Sequence, residues 1–568
     1  MSRTILNPDG KNSFTSLVCE NYFVDKTNFI GEMIERLDSS DRKLIAFTRP
    51  RRFGKTVTAL MLSSFFSKGA DCRTIFSKLN IATEYKKGTN FNYEKFLNKF
   101  DVIYWDLNAI NTDFKSYQDD PSIHVEGIDD LVDYLQFTTL LELKKNKEFN
   151  EKINQNSLIG KKSLKQAFVA TQNKFAFIMD EWDLIYREYR EDEQLQKKFI
   201  ELLTGLFKAY DGLECFSLVY LTGILPIKKY NSQSALNNFD EINMLTPGNF
   251  APYFGFTDED VNRICELPQN AIPKSLLKEW YEGYKFKMTV MDAKTKKLNV
   301  VDVDIYNPNS VCKAISRQEC IGYWSKTSSQ EEVERLINMD FKGIKRDIVK
   351  LVDGGKVPFN SDNFQNDMVT IKDKNDIICL LVCLGYLCCT EKTNGGKVAY
   401  VPNKEIKSSL LALVKAQDWS NRISAIKRSD NLLNAIIKKQ NSAKVAQIIQ
   451  EIHNSPQVSL LDYNTEESLT YCVITGLQWA TQDDYSCYRE DQTGKGRVDL
   501  VYEPVSEDLP LIIIEFKCGK SAEVALKQIK RQEYYKRYVK QHHKIVMVGI
   551  NYSKTTKEHD CVIESLTQ

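Results

Sequence analysis

The stretch Lys43–Leu62 reads KLIAFTRPRRFGKTVTALML. Its apolar run, Leu44-Ile45-Ala46-Phe47, has the length and composition of a short buried strand. Arg49-Pro50-Arg51-Arg52-Phe53-Gly54-Lys55-Thr56 reads as a turn, and helical spacing begins at Val57. Strand, tight turn and helix, with the turn closing in Gly-Lys-Thr, make a phosphate cradle. Free backbone N–H groups at the helix start and the local dipole favour a polyphosphate. In such a cradle Lys55 reaches the β- and γ-phosphates and the Thr56 hydroxyl holds Mg²⁺. Arg49 stands where the usual pattern opens with glycine, so the competing reading is a helix start that carries Gly-Lys-Thr by chance.

Around this stretch, 568 residues exceed what one core organises, and three or four domains are expected. Apolar residues at 42% and charged residues at 27% are those of a soluble globular chain. A net charge of +1 supplies no global field toward nucleic acid, so any such contact needs a local patch. Fourteen cysteines without a spaced framework suit a reducing compartment. The first residues, MSRTILNPDGKNSF, contain no apolar h-region, and the longest apolar run, Ile377 to Cys389, is too short to cross a bilayer. The expected location is the cytoplasm, or the nucleus in a eukaryotic host, with no membrane partner.

Further apolar runs extend the pattern. An amphipathic helix carries Phe29, Ile30, Met33, Ile34 and Leu37. Val102-Ile103-Tyr104-Trp105 reads as a second strand ending at Asp106, followed over 111–160 by polar insertion helices and loops with few breakers beyond Pro121 and Gly127. Phe175 to Met179 reads as a third strand that runs into Asp180-Glu181. An α/β sheet places ligand chemistry at such a strand tip. Asp180 is expected to hold Mg²⁺ through water, and Glu181 to polarise the attacking water. A fourth strand, Phe216 to Leu221, ends in Thr222-Gly223, with Thr222 placed to sense the γ-phosphate. Apolar strands alternating with helices predict a parallel, doubly covered sheet.

Phe23-Val24-Asp25-Lys26-Thr27, the RPRRFGKT turn, Asp180-Glu181, Leu221-Thr222-Gly223, Phe254-Gly255-Phe256-Thr257, Trp280 to Phe286 (WYEGYKF) and Tyr306-Asn307-Pro308 together resemble the AAA-ATPase-like family. These P-loop proteins look related to the STAND and archaeal-type ATPases, and the match runs over roughly 300 residues. The family commonly reads RPRRFGKS or RPRRFGKT at its P-loop, which brings Arg49 inside the pattern with Gly54, Lys55 and Thr56. The resemblance implies ATP and Mg²⁺ as cofactors. Lys287 departs from the family's usual glycine, and an insertion from Met288 to Asp304 follows it. Arg51, Arg52, Arg187 and Arg190 all qualify as γ-phosphate contacts, the last two reading better as a solvated helix face.

Residues 330–450 are lysine-rich and helical in pattern, with Leu384-Gly385-Tyr386-Leu387 leading into a hairpin at Lys397 to Asn403. Cys379, Cys383, Cys388 and Cys389 have wholly apolar flanks and no accompanying histidine, so they read as packing cysteines rather than a zinc site. Leu432 to Ile452 reads as one packing helix.

From Tyr463 the pattern becomes helix (Glu466–Trp479), strands (Ser486–Arg489, Arg497–Tyr502, Leu511–Lys517), a basic helix (Ala522–Lys540) and a strand (Lys544–Ile550). Period two puts Glu515 and Lys517 on one face of their strand. A short connection pairs that strand antiparallel with the one carrying Asp499, so Asp499, Glu515 and Lys517 converge at one sheet edge. Asp499 and Glu515 suit hard Mg²⁺ ions, Lys517 suits an attacking water or developing charge, Glu467 is placed to complete the metal shell, and Gln528 to touch substrate. The competing reading is an ordinary Asp, Glu and Lys surface face. Gly496-Arg497-Val498-Asp499, Ile513 to Lys517 and Gln528 resemble the PD-(D/E)XK nuclease superfamily over about 100 residues, in the version attached to AAA-ATPase-like proteins. Tyr471 departs from the histidine that relatives often carry. Lys520, Lys527, Lys530, Arg531, Lys536, Arg537 and Lys540, with Tyr534 and Tyr535, suit a nucleic-acid backbone or a solvated face.

The expected fold is α/β: a P-loop NTPase parallel sheet, a helical and winged-helix-like middle region, and a C-terminal restriction-endonuclease-like domain. The expected divisions are a P-loop ATPase domain over 1–245, a helical lid over 246–330, a helical or winged-helix-like linker domain over 331–455 and a nuclease-like domain over 456–568. The leading function is ATP binding and hydrolysis coupled to a Mg²⁺-dependent phosphodiesterase, with nucleic acid as partner and DNA expected before RNA; a homo-oligomer stays open. The alternative is a STAND-like signalling or host-interaction switch whose C-terminal domain only binds nucleic acid or a protein. The five histidines (His124, His453, His542, His543 and His559) lack a nucleophile context, which argues against a serine or cysteine hydrolase.

Overall fold

Alternation along Leu44-Ile45-Ala46-Phe47 splits its side chains between two faces of a sheet. In the computed structural model Leu44 and Ala46 join one apolar core, and Ile45 and Phe47 join another. The structure describes residues 4–567 apart from 121, 123, 157–158, 228–235, 269, 292–296, 325–328, 339–342, 363, 365–370, 392–395, 417–419, 455–464, 482–483, 494–495 and 540. Pro121, Lys540, the tip of the 288–304 insertion and the 455/456 division therefore lie outside the described residues.

The chain forms two compact units, Met1–Asn338 with Gly354–Leu410, and Met339–Asp353 with Leu411–Gln568. In the first, β1 (Leu44–Thr48), β2 (Asp101–Asp106), β3 (Phe175–Asp180), β4 (Phe216–Gly223) and β5 (Asp240–Ile242) form one parallel sheet in the order β2-β3-β4-β1-β5. The helix Lys55–Phe66 lays Ala59, Leu62 and Phe66 into one core, and the helices Leu131–Lys145 and Glu193–Phe207 cover the other face. The sheet is parallel and doubly covered as expected. Its fifth strand was not foreseen: Asp-Glu-Ile is three residues long and only one of them is apolar, below any apolar-run signal.

The stretch read as a helical lid contains helices Asp258–Cys265, Lys274–Tyr281 and Pro308–Arg317, and also a three-stranded sheet. In that sheet β6 (Phe256–Thr257) and β7 (Tyr284–Met291) flank β8 (Leu298–Tyr306), both antiparallel to it. The 288–304 insertion is thus largely a hairpin ladder, with Met288 opposite Val301 and Lys285 opposite Asp304. Downstream, the helix Lys374–Cys383 leads into a hairpin, β10 (Cys388–Glu391) with β11 (Lys397–Tyr400), and β9 (Val357–Phe359) adds to β11. Cys379, Cys383 and Cys388 are buried in it, and burial pushes their thiols up. Among the described residues no group of three His, Cys, Asp or Glu side chains stands at metal-binding distance.

Residues 331–455, read as one linker domain, divide between the two units. The single helix expected over Leu432 to Ile452 is two, Ser420–Ile437 and Ser442–His453. Gln440 takes φ +44, and the Asn441 side chain caps the second helix by accepting from the Lys444 amide, which breaks the run where apolar spacing alone saw none. Both helices pack into the core of the second unit's sheet with the helix Glu466–Thr481.

That sheet runs β12 (Tyr485–Thr493), β13 (Gly496–Pro504), β14 (Leu511–Cys518), β15 (Lys544–Tyr552), β16 (His559–Thr567). It is antiparallel except for the parallel β14–β15 pair, whose crossover carries the helix Ala522–Arg531. The long basic helix expected to reach Lys540 stops at Arg531, because Glu533 adopts φ +55 and a short 3₁₀ turn, Tyr534–Arg537, follows. β16 is an edge strand of mixed polarity that the sequence reading missed. Among the described residues no helix is long and apolar enough to cross a membrane.

Candidate functional site

In the first unit the chain leaves β1 through the RPRRFGKT turn. Gly54 sits at φ +84 and caps the helix Lys55–Phe66 in a left-handed conformation that costs a residue with a Cβ. Lys55 is buried, its Nζ donates to the Pro50 carbonyl at 2.8 Å across the turn, and burial lowers its pKa against the pull of Glu181 and Asp180. The turn opens on a cavity of about 560 Å³ lined by Arg51 to Thr58 and Glu181 on one side, and by Phe14, Tyr22, Phe23, Tyr253 and Phe256 elsewhere. Backbone amides and cations at one end with aromatic rings around them suit a nucleoside polyphosphate.

Asp180 and Thr222 are register partners at the tips of β3 and β4, and Thr222 is fully buried. Burial raises Asp180 to about 7, opposed chiefly by the nearby Thr56 hydroxyl. A hydroxyl and a carboxylate in this relation are the all-oxygen donor set a hard cation takes. Glu181 leaves the strand at φ +59, an uncommon conformation for a non-glycine residue that turns its carboxylate into the cavity wall.

Two of the expected roles change. Arg49 does not enter the cavity. It is fully buried, its Nη1 donates to the Thr48 and Ile242 carbonyls at 2.9 and 3.4 Å, and its guanidinium lies 5.6–5.9 Å from the rings of Phe47, Phe254 and Phe286. Three aromatic faces hold the cation on the side away from the phosphate end. Arg187 is no solvated helix residue: it is buried and paired with both Glu181 and Asp183, the latter at 3.1 Å. Burial opposes its charge, and the two carboxylates more than offset that, so its pKa is raised. Asp183 is the residue sequence reasoning missed. Its Oδ2 accepts from the Ile224 and Leu225 amides at 3.2 and 3.0 Å as well as from Arg187, tying the loop after β4 to the loop after β3. The run Asp180-Glu181-Trp182-Asp183 was the available signal.

In the second unit Asp499, Glu515 and Lys517 come together as expected. The β13–β14 ladder ends at Leu500 opposite Ile514. One residue further, the Asp499 side chain takes over, its Oδ2 accepting the Phe516 amide hydrogen at 2.7 Å. Glu515 is 1% exposed and Lys517 6%, so this is no ordinary surface face. Lys517 Nζ is 3.3 Å from Glu515 Oε1 and donates to the Phe516 carbonyl at 2.6 Å. Gln528, on the helix Ala522–Arg531, donates its Nε2 to the same Glu515 Oε1. Glu515 Oε2 is buried with no hydrogen-bond partner. Burial and then the Asp499 charge raise Glu515 to about 7, with Lys517 pulling it down. A buried, unpartnered carboxylate oxygen beside a second carboxylate is what an oxygen-seeking divalent cation would satisfy, its remaining positions going to water and phosphate. Both glutamates at the start of the preceding helix are exposed, and Glu466 is the one that reaches Lys517, at 3.7 Å. In the basic segment Lys530 pairs with Glu564 and Lys536 with Glu533, at 2.6 and 2.7 Å, so these two cations are partly neutralised.

Residues 8–231 match the family described as "Predicted AAA-ATPase", and residues 466–560 match the PD-(D/E)XK nuclease superfamily. No curated protein matches the chain.

Proposed function

We propose, for a chain that carries an AAA-ATPase-type domain and a PD-(D/E)XK nuclease-type domain, that it binds and hydrolyses ATP and that nucleotide state controls a metal-dependent phosphodiesterase acting on DNA or RNA. The observation that carries this reading is the Asp499–Glu515–Lys517 group, with Glu515 and Lys517 buried and one Glu515 oxygen unpartnered, on the same polypeptide as a Gly54-Lys55-Thr56 cradle facing Asp180 and Glu181. An ATPase domain over 1–245 and a nuclease-like domain over 456–568, Mg²⁺ as the metal and DNA as the first substrate belong to the same proposal.

Asp499 and Glu515 would hold the cation at the second site, and Thr56 and Asp180 the cation that accompanies the triphosphate. Such a cation lowers the pKa of a bound water and stabilises charge developing at phosphorus. The protein's own part is positional. Gln528 and Lys517 orient Glu515, and the Lys517 ammonium sits where it can offset charge on a phosphate. In the first unit Glu181 is the group placed to accept a proton from water once it parts from Arg187.

The test is a cleavage assay with plasmid, single-stranded DNA and RNA, with and without ATP and with Mg²⁺ or Mn²⁺. Asp499→Ala is expected to abolish cleavage and leave ATP binding intact. Lys55→Ala is expected to abolish ATP binding and remove the ATP dependence of cleavage. If the wild-type protein cuts none of the three polymers, the nuclease reading fails and a nucleotide-driven switch takes its place.

A further inference from the structure

The cradle by itself leaves open which group tells a triphosphate from a diphosphate. Arginine suits that task because its planar fork pairs with two phosphate oxygens at once. The arginines near the turn are not equivalent. Arg49 is enclosed by aromatic rings in the core. Arg52 also lines the cavity, but its Nη1 is engaged, donating to the Tyr323 carbonyl at 2.5 Å. Arg187 is engaged by Glu181 and Asp183, and Arg190 Nε donates to the Arg187 carbonyl at 2.9 Å.

Arg51 combines two features that none of these four combines. It lines the cavity with Gly54, Lys55, Thr56 and Glu181, and its buried Nε has no hydrogen-bond partner. The charges acting on it are Arg187, Glu181, Asp183 and Glu188, and Lys55 answers to Glu181, Asp183 and Arg187 as well. Arg51 and Lys55 thus line one cavity together with Glu181. The backbone before Arg51 is fixed: Lys55 holds the Pro50 carbonyl, and the Pro50 ring packs so closely on Gly385 that a Cβ there would lie 2.7 Å from it.

Resting on the ATP-site reading, we infer that Arg51 is the γ-phosphate contact, supplied by the P-loop itself. The γ-phosphate satisfies the buried Nε, and its charge draws on Arg51 and Lys55 together. A diphosphate does not reach Arg51, so its affinity is independent of that side chain. The γ-phosphate also brings negative charge toward the Arg187–Glu181 pair, favouring release of Glu181 as a base.

The experiment measures equilibrium binding of a non-hydrolysable ATP analogue and of ADP, each with Mg²⁺, to the full chain. Arg51→Ala is expected to weaken the triphosphate on the order of ten- to a hundredfold, as loss of a charged hydrogen-bonding group does, and to leave ADP within about twofold of wild type. Arg51→Lys is expected to fall between, keeping charge without the fork. Retained ADP affinity certifies the fold of each variant. An unchanged triphosphate-to-diphosphate ratio in Arg51→Ala overturns the assignment, as does equal loss of both ligands, which marks a structural role. Wild-type protein that binds neither nucleotide overturns the ATP-site reading itself, a result distinct from an unchanged ratio.

Discussion

The Asp499 carboxylate accepts the Phe516 amide hydrogen at 2.7 Å, so this side chain both ends the β13–β14 ladder and faces Glu515. Its two roles separate by substitution. Asp499→Asn keeps an acceptor for the Phe516 amide and removes only the charge; Asp499→Ala also orphans a buried donor, which costs about 1–3 kcal/mol. Both variants are expected to lose Mg²⁺-dependent cleavage, and only the alanine variant to lose that stability. Urea denaturation beside a plasmid-cleavage gel distinguishes them; equal stability of the two would refute the ladder role.

Arg187 stands between Glu181 and Asp183 with little solvent access. Arg187→Met removes the cation paired with both carboxylates, expected to cost about 3–5 kcal/mol. Adding Asp183→Asn removes one of the stranded charges, and the double variant is expected to recover part of that loss. Thermal melts of the single and double variants check this, and additive losses would show that the groups are not coupled.

Glu405 is fully buried, accepting from Ser310 Oγ at 2.9 and 3.1 Å and from the Tyr323 and Trp324 amides at 2.6 and 3.0 Å. Burial nevertheless raises it to about 7. Its folded pKa lies above its unfolded one, so stability is highest while the carboxyl is protonated in both states. Stability then falls as pH rises from the ordinary glutamate range toward 7, where the unfolded chain ionises first. Glu405→Gln carries no such proton. Relative to wild type it is expected to gain about 3 kcal/mol between pH 4.5 and 7.5, measured by urea denaturation at both pH values. A pH-independent difference between the two proteins would contradict this.

Gly54 and Gly283 both adopt positive φ, at +84 and +110, but with different surroundings. A Cβ on Gly54 meets nothing within 4 Å, whereas on Gly283 it would lie 2.0 Å from the Pro402 carbonyl oxygen. Gly54→Ala is expected to cost about 1–2 kcal/mol from backbone strain alone. Gly283→Ala is expected to cost clearly more, since a backbone segment must also move. Denaturation midpoints of the two variants rank them, and a reversed order would count against the packing of Gly283 on Pro402.

Much of the first sheet is legible because its signals are local. Leu44 to Phe47, Val102 to Trp105, Phe175 to Met179 and Phe216 to Leu221 are apolar runs bounded by polar strand tips, and each is a strand. The same holds for Asp499, Glu515 and Lys517, whose meeting follows from period two and one short connection. The breaks at Gln440 and Glu533 were hidden because left-handed backbone at a polar residue leaves no mark on apolar spacing.

The sequence by itself determined which segments become strands, which tips carry carboxylates, and that a Gly-Lys-Thr turn precedes a helix, since all of these are set by neighbours within a few residues. Only the tertiary structure decided that Arg49 turns into an aromatic box, that Arg187 is shared by Glu181 and Asp183, that Glu466 rather than Glu467 meets Lys517, and that Asp240–Ile242 and His559–Thr567 complete the two five-stranded sheets. Apart from Arg187, whose carboxylate partners lie four and six residues away, these outcomes depend on rings, carboxylates and strand edges brought together from distant parts of the chain, which no short window along the sequence contains.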